Sequence, residues 1–119
     1  MTAMASIALS EPANAAYTDC ANGYTCAWQP TSYAGQPDAK ATKRVVLTTS
    51  SNRINSIVNN GVSQIALYFD RNDYTGVYIT LNNPARGGQW RDPALVNGTD
   101  KTPVNWANRI SSMGFANYV

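Results

Sequence analysis

The sequence predicts an all-β fold, a sandwich or barrel of short strands, on three observations. Large and small residues alternate with period two in several short stretches. Turn signals recur between those stretches, and no segment carries a sustained helical period. The chain also repeats itself, with an aromatic element followed by an Asn-Arg-Ile element in each half. At 119 residues it has the length of one domain.

In chain order, Met4 to Leu9 is an apolar run too short to span a bilayer, and Ala13-Asn14-Ala15 has the small-x-small form of a signal-peptidase site. Residues 1–15 are therefore expected to be a signal-peptide remnant or disordered tail, and 16–119 a single domain of a secreted protein. Cys20 and Cys26 flank the turn-forming Asn22-Gly23. In an exported chain this spacing favours a Cys20–Cys26 disulfide, the alternative being two buried free thiols.

Tyr24 to Trp28 alternates as a half-buried strand does, and Arg44 to Thr49 is short and β-branched. Asn59-Asn60-Gly61 has the composition of a hairpin turn. Ile65 to Phe69 and Val77 to Leu81 flank a turn on Asp70-Arg71-Asn72-Asp73, and Ile110 to Phe115 closes the chain.

The repeat aligns Trp28, Tyr33 and Gly35 with Phe69, Tyr74 and Gly76, and Asn52-Arg53-Ile54-Asn55-Ser56 with Asn108-Arg109-Ile110-Ser111-Ser112. The halves run roughly 20–60 and 64–115, with the extra residues of the second mostly within Asn82 to Val104. An aromatic, a polar arch, a second aromatic and a Gly suit a folded-over hairpin in which Gly takes a φ other residues resist. The Ser closing each unit can hydrogen-bond back onto the arch.

These elements resemble the βγ-crystallin Greek key. Cys20-x-x-Gly23-Tyr24-x-Cys26-x-Trp28 leading to Tyr33-x-Gly35 is similar, further, to the secreted bacterial βγ-crystallin-like proteins of the peptidase-inhibitor family type. The resemblance covers about residues 20 to 115. It implies two Greek keys packed as a β-sandwich about a pseudo-twofold, and a secreted inhibitor of an extracellular peptidase.

Calcium-binding members of the resembled family combine a Ser/Thr hydroxyl and backbone carbonyls of the later element with an arch. Carried over residue by residue, Ser111 keeps the hydroxyl, whereas Ala107 and Ser51 stand where Asn or Asp is expected and Asn55 replaces Ser/Thr. On the arches Asp70 is acidic and Gln29 neutral. The expected pairings are Ser111 with the Gln29 arch and Asn55 with Asp70. Calcium prefers six to eight oxygens with anionic ligands, so no cofactor is required and calcium binding is weak at best. The alternative is that Gln29, Asn55, Asp70 and Ser111 tie the arches together.

The long connection carries Arg86, Trp90 and Arg91 among Gly and Pro. Trp and Arg dominate protein-binding hot spots, so these three are the candidate partner-binding residues, with Trp90 as a core plug the alternative. Trp106 is expected in the core.

Composition excludes much else. There is no His, which removes Ser-His-Asp and Cys-His chemistry. Net charge is only +2 with 13% charged residues, which gives no case for nucleic acid or an anionic membrane as partner. No Gly-x-Ser-x-Gly or phosphate-binding Gly loop occurs. The expected function is non-enzymatic, and the resemblance implies a monomeric secreted peptidase inhibitor, here expected to act by surface-loop binding. The alternatives are a calcium-binding or structural extracellular βγ-crystallin, or a killer-toxin-like antimicrobial protein.

Overall fold

The computed structural model describes residues 16–116, so the segment expected to be cleaved lies outside the described residues. Eight strands follow in order: β1 Tyr24–Trp28, β2 Ala39–Ala41, β3 Arg44–Val46, β4 Ser56–Asn60, β5 Ala66–Phe69, β6 Tyr78–Leu81, β7 Arg91–Asp92 and β8 Ser112–Phe115. Every pairing is antiparallel. One sheet has the order β2-β1-β4-β7 and the other β3-β8-β5-β6.

Each sheet borrows one strand from the other half of the chain. β3, from the first half, pairs with β8, with Arg44 opposite Gly114, and β7, from the second half, pairs with β4, with Ile57 opposite Asp92. The pseudo-twofold expected from the repeat thus maps β2-β1-β4-β7 onto β6-β5-β8-β3. The exchange welds the halves, because neither can complete its sheet alone.

Between the sheets lies one apolar core in which Ile54, Ile57, Tyr68, Ile79, Trp106, Ile110 and Phe115 are buried. Trp106 takes the core position the sequence predicts, at 1% exposure. Tyr68 places a hydroxyl in this core and donates it to Thr25 Oγ1 at 2.6 Å, and Thr25 in turn donates to the Val58 carbonyl at 3.0 Å. Burial holds the Tyr68 phenol protonated well above its ordinary range, against a smaller opposing effect of the Thr25 hydrogen bond.

A second cluster covers the outer face of the first sheet. It contains Cys20, Cys26, Trp28, Tyr33 and Val58, with Tyr17, Tyr24 and Trp90 packed against it. The Cys20–Cys26 disulfide is formed, with Cα atoms 5.8 Å apart. Gly23, in the turn between them, has φ +87°, which the intervening Asn-Gly accommodates.

Three features differ from the sequence expectation. Asn59 and Asn60 belong to β4 and not to a turn, because the Asn59 side chain is fully buried and satisfied by the carbonyls of Gln64, Leu81 and Asn82. The strand expected over Arg44 to Thr49 ends at Val46. The short strands β2 and β7 carry no alternation long enough to announce them.

Candidate functional site

The arches repeat each other closely. Tyr33 and Tyr74 have φ +58° and +60°, Gly35 and Gly76 +76° and +85°, and Asn52 and Asn108 both +60°. Left-handed backbone is costly for a ring-bearing residue, so each Tyr must be held there. Ser56 Oγ accepts from Tyr33 N–H at 3.2 Å and donates to the Pro30 carbonyl. Ser112 Oγ does the same for Tyr74 N–H and the Arg71 carbonyl. The aromatics pack edge to face across each arch, at 5.3 Å for Trp28–Tyr33 and 6.4 Å for Phe69–Tyr74.

The Asn-Arg-Ile elements meet at the pseudo-twofold. Asn52 N–H donates to the Ile110 carbonyl at 2.9 Å and Asn108 N–H to the Ile54 carbonyl at 3.0 Å. Side chains cross the same axis, with the Asn55 amide on Asn108 Oδ1 and the Ser111 hydroxyl on Asn52 Oδ1. The structure places Asn55 beside Gln29, whose carbonyl takes its amide N–H at 2.8 Å. Ser111 lies beside Ser51, and Asp70 pairs with Arg109 at 3.5 Å. The pairings Ser111–Gln29 and Asn55–Asp70 are thus not the ones formed.

This donor set does not fit calcium. Asn55 presents N–H donors to its neighbours, the Ser111 proton points at Asn52, a guanidinium stands beside Asp70, and the other arch carboxylate, Asp73, accepts from the Thr75 hydroxyl. The other Asp70 oxygen is buried without a partner among the described residues, pressed against the arch where a Cβ on Gly76 would collide with it. Asn55 links the first arch to Asn108, Ser111 joins the two Asn-Arg-Ile elements through Asn52, and Asp70 links the second arch to Arg109.

The long connection forms a different kind of site. Its expected residues separate into two groups. Trp90 is half-buried in the outer cluster, 5.5 Å from Tyr17, and the Arg91 guanidinium stacks 3.8 Å over Tyr17 and 4.6 Å over Trp90. Arg86 is exposed elsewhere on the loop, its Nε donating to the Ser63 carbonyl at 2.6 Å.

Two buried asparagines, which sequence reasoning missed, fix the loop around Arg86. Asn83, 1% exposed, donates to the Gly61 carbonyl at 2.9 Å and the Gln64 carbonyl at 3.1 Å, and its Oδ1 accepts from Ala85 N–H. Asn59 donates to the carbonyls of Gln64, Leu81 and Asn82, and its Oδ1 accepts from Gly61 N–H. Loops 61–64 and 82–89 are thereby joined into one ridge, crested by Val62 at 77% exposure and by Arg86. The paired dipeptides Asn59-Asn60 and Asn82-Asn83 were the available signal.

Beyond the ridge, buried Asp92 accepts from Ala94 N–H at 2.8 Å and from the Gln89 amide at 3.2 Å. Burial raises its pKa above the ordinary carboxylate value, with those hydrogen bonds opposing the rise. Tyr33 is also raised by burial, and its hydroxyl is buried without a partner among the described residues. No group of three His, Cys, Asp or Glu converges among the described residues.

The double Greek key, the exchanged strands and the paired left-handed arches define a βγ-crystallin-type domain, and solved structures carry the same fold. A structure from work on the evolution of the eye-lens βγ-crystallin domain fold aligns with TM-score 0.61 and 17% identity, over 94% of this chain and 96% of that one. A βγ-crystallin from Ciona intestinalis aligns with TM-score 0.56 and 14% identity, over 78% of this chain and 99% of that one. An archaeal βγ-crystallin aligns with TM-score 0.56 and 16% identity, over 80% of this chain and 99% of that one. No curated protein sequence matches. The profile of peptidase inhibitor family I36 matches residues 13–81, more than half the chain, and the chain belongs to that family. It is a peptidase inhibitor and not an enzyme; family and disulfide together are consistent with an extracellular protein.

Proposed function

We propose that the chain inhibits a secreted peptidase by docking the ridge formed by loops 61–64 and 82–89 onto it. The observation that carries this reading is the double asparagine anchor. An inhibitory surface gains affinity when it is held in its bound shape before contact. In this loop Asn59 and Asn83 supply the constraint that a disulfide supplies in other rigid loops. The fold does not need a loop of this length, since the first repeat closes without its equivalent. Val62 and Arg86 offer an apolar and a cationic contact at the crest.

Trp90 and Arg91 support the ridge from behind, because the Trp90 carbonyl accepts the Asn59 N–H at 2.8 Å. The Trp90 ring and the Arg91 guanidinium pack against Tyr17. The test is a hydrogen-exchange footprint of the complex with a peptidase selected from a panel of secreted serine, cysteine and metallo-enzymes. Amides of residues 61–64 and 83–88 are expected to gain protection in the complex. Protection confined to the arches at 29–35 and 70–76 would contradict the proposal.

A further inference from the structure

The four edges of the two sheets are not equally guarded. β2 is three residues long and carries Lys40, β3 is three residues and opens with Arg44, and β7 is only Arg91–Asp92. Short, charged edges of this kind keep folded proteins from stray strand pairing. β6 is four residues long and uncharged, and no Asp, Glu, Lys or Arg occurs from Tyr74 to Ala85.

The hydrogen-bond phase of β6 shows which groups face outward. Asp70 N–H donates to the Val77 carbonyl at 3.0 Å, and Tyr78 stands opposite Phe69. Antiparallel alternation then turns the N–H and C=O groups of Ile79 and Leu81 toward β5, and those of Tyr78 and Thr80 outward. Among the described residues no backbone group pairs with these outward groups. One step further on, Asn82 N–H is taken by the Gln89 carbonyl at 2.7 Å, which ends the open edge. Ile79 and Leu81 are buried, whereas the Tyr78 side chain is 52% exposed. Beside Thr80 lies a pocket of about 180 Å³ lined by Asn82, Gly88, Gln89, Asp100 and Lys101.

We propose that β6 pairs antiparallel with β6 of a second copy of this chain, about a twofold axis at Ile79. The edge is complementary to itself in that register. Tyr78 falls opposite Thr80 of the second copy, and Thr80 opposite Tyr78 of that copy. Each pair exchanges two N–H···O bonds, so the outward groups of both strands are satisfied. Directly opposed residues project to the same face, which sets each Tyr78 ring beside the pocket at the other copy's Thr80, within reach of Lys101. No like charges meet across the axis, since the strand has none. The inference is independent of the inhibitory ridge.

Sedimentation velocity over about a hundredfold range of protein concentration, with amide exchange followed by NMR, tests the pairing. The expected result is a reversible monomer–dimer equilibrium in which the Tyr78 and Thr80 amides exchange slowly only in the dimer. Thr80→Pro removes an outward N–H and no β5–β6 hydrogen bond, and a Pro on an edge is tolerated. Tyr78→Ala removes the exposed ring and serves where Thr80→Pro fails to fold. Each is expected to weaken dimerisation at least about tenfold with the fold retained. A chain monomeric throughout, with both amides exchanging fast, would overturn the proposal. So would a dimer unaffected by Tyr78→Ala, or a monomer whose Tyr78→Ala variant loses peptidase binding, which would assign the edge to the peptidase.

Discussion

Trp28 and Phe69 occupy equivalent places in the two Greek keys, at the foot of arches with the same backbone and the same serine lock. Around them the halves diverge. Over Trp28, which is fully buried, lie the Cys20–Cys26 disulfide, Tyr33, Tyr17 and Trp90. Phe69 keeps 7% exposure under Tyr74 and the half-exposed Tyr78, with Arg44 stacked 4.9 Å over Tyr74. The arch itself therefore needs no covering layer. In the first half that layer adds stability, and in the second its omission leaves an edge and a face open for contacts.

Truncating the two aromatics measures the difference most strongly. Trp28→Ala is expected to cost roughly 4 kcal/mol and Phe69→Ala roughly 3 kcal/mol in chemical denaturation. Equal losses would mean the covering layer contributes nothing at Trp28. Removing the disulfide by the paired change Cys20→Ala and Cys26→Ala comes next, at about 2 kcal/mol for so short a loop.

Asp92 is part of β7, the strand that the second half lends to the first sheet, and it sharpens the comparison through pH. Its folded pKa is raised, chiefly by burial, so its contribution to stability is complete below the ordinary carboxylate pKa of about 3.9 and is lost as pH rises through the folded value. Asp92→Asn should flatten this part of the stability profile between acid and neutral pH, as read by melting temperature. An unchanged profile would show that Asp92 titrates normally. A smaller effect is expected at the second arch, where Arg109→Ala removes a partly exposed ion pair with Asp70 and a stacking contact over Trp106 and should cost about 1 kcal/mol.

The repeated parts of the fold were legible in the sequence because they depend on local backbone demands. Gly35 and Gly76 mark left-handed positions, and Ser56 and Ser112 close the arches they were expected to close. The Cys20–Cys26 bridge follows from a turn between two nearby thiols. The strand exchange was not legible, because β7 is too short to carry a pattern and the partners of β3 and β7 lie far away in sequence. Asn59 looked like a turn residue for a sound local reason, and only the carbonyls of residues 64, 81 and 82 explain its burial in a strand. Arg86 was picked out as a contact residue by composition. Its separation from Trp90 and Arg91 depends on Ser63 and Tyr17, which the loop's own sequence does not contain.

The division of labour between the covering layer and the ridge is tested most directly by measuring peptidase inhibition and melting temperature on one pair of variants. Trp90→Ala should lower stability by roughly 1–2 kcal/mol, as loss of a half-buried ring does, while the folded protein still inhibits. The double variant Val62→Ser with Arg86→Ala should melt within a degree or so of the parent, as surface changes do. It should inhibit roughly thirtyfold less well, the loss of a hot spot worth about 2 kcal/mol. The reverse pattern, with inhibition lost on removing Trp90 and retained on stripping the ridge, would contradict the account.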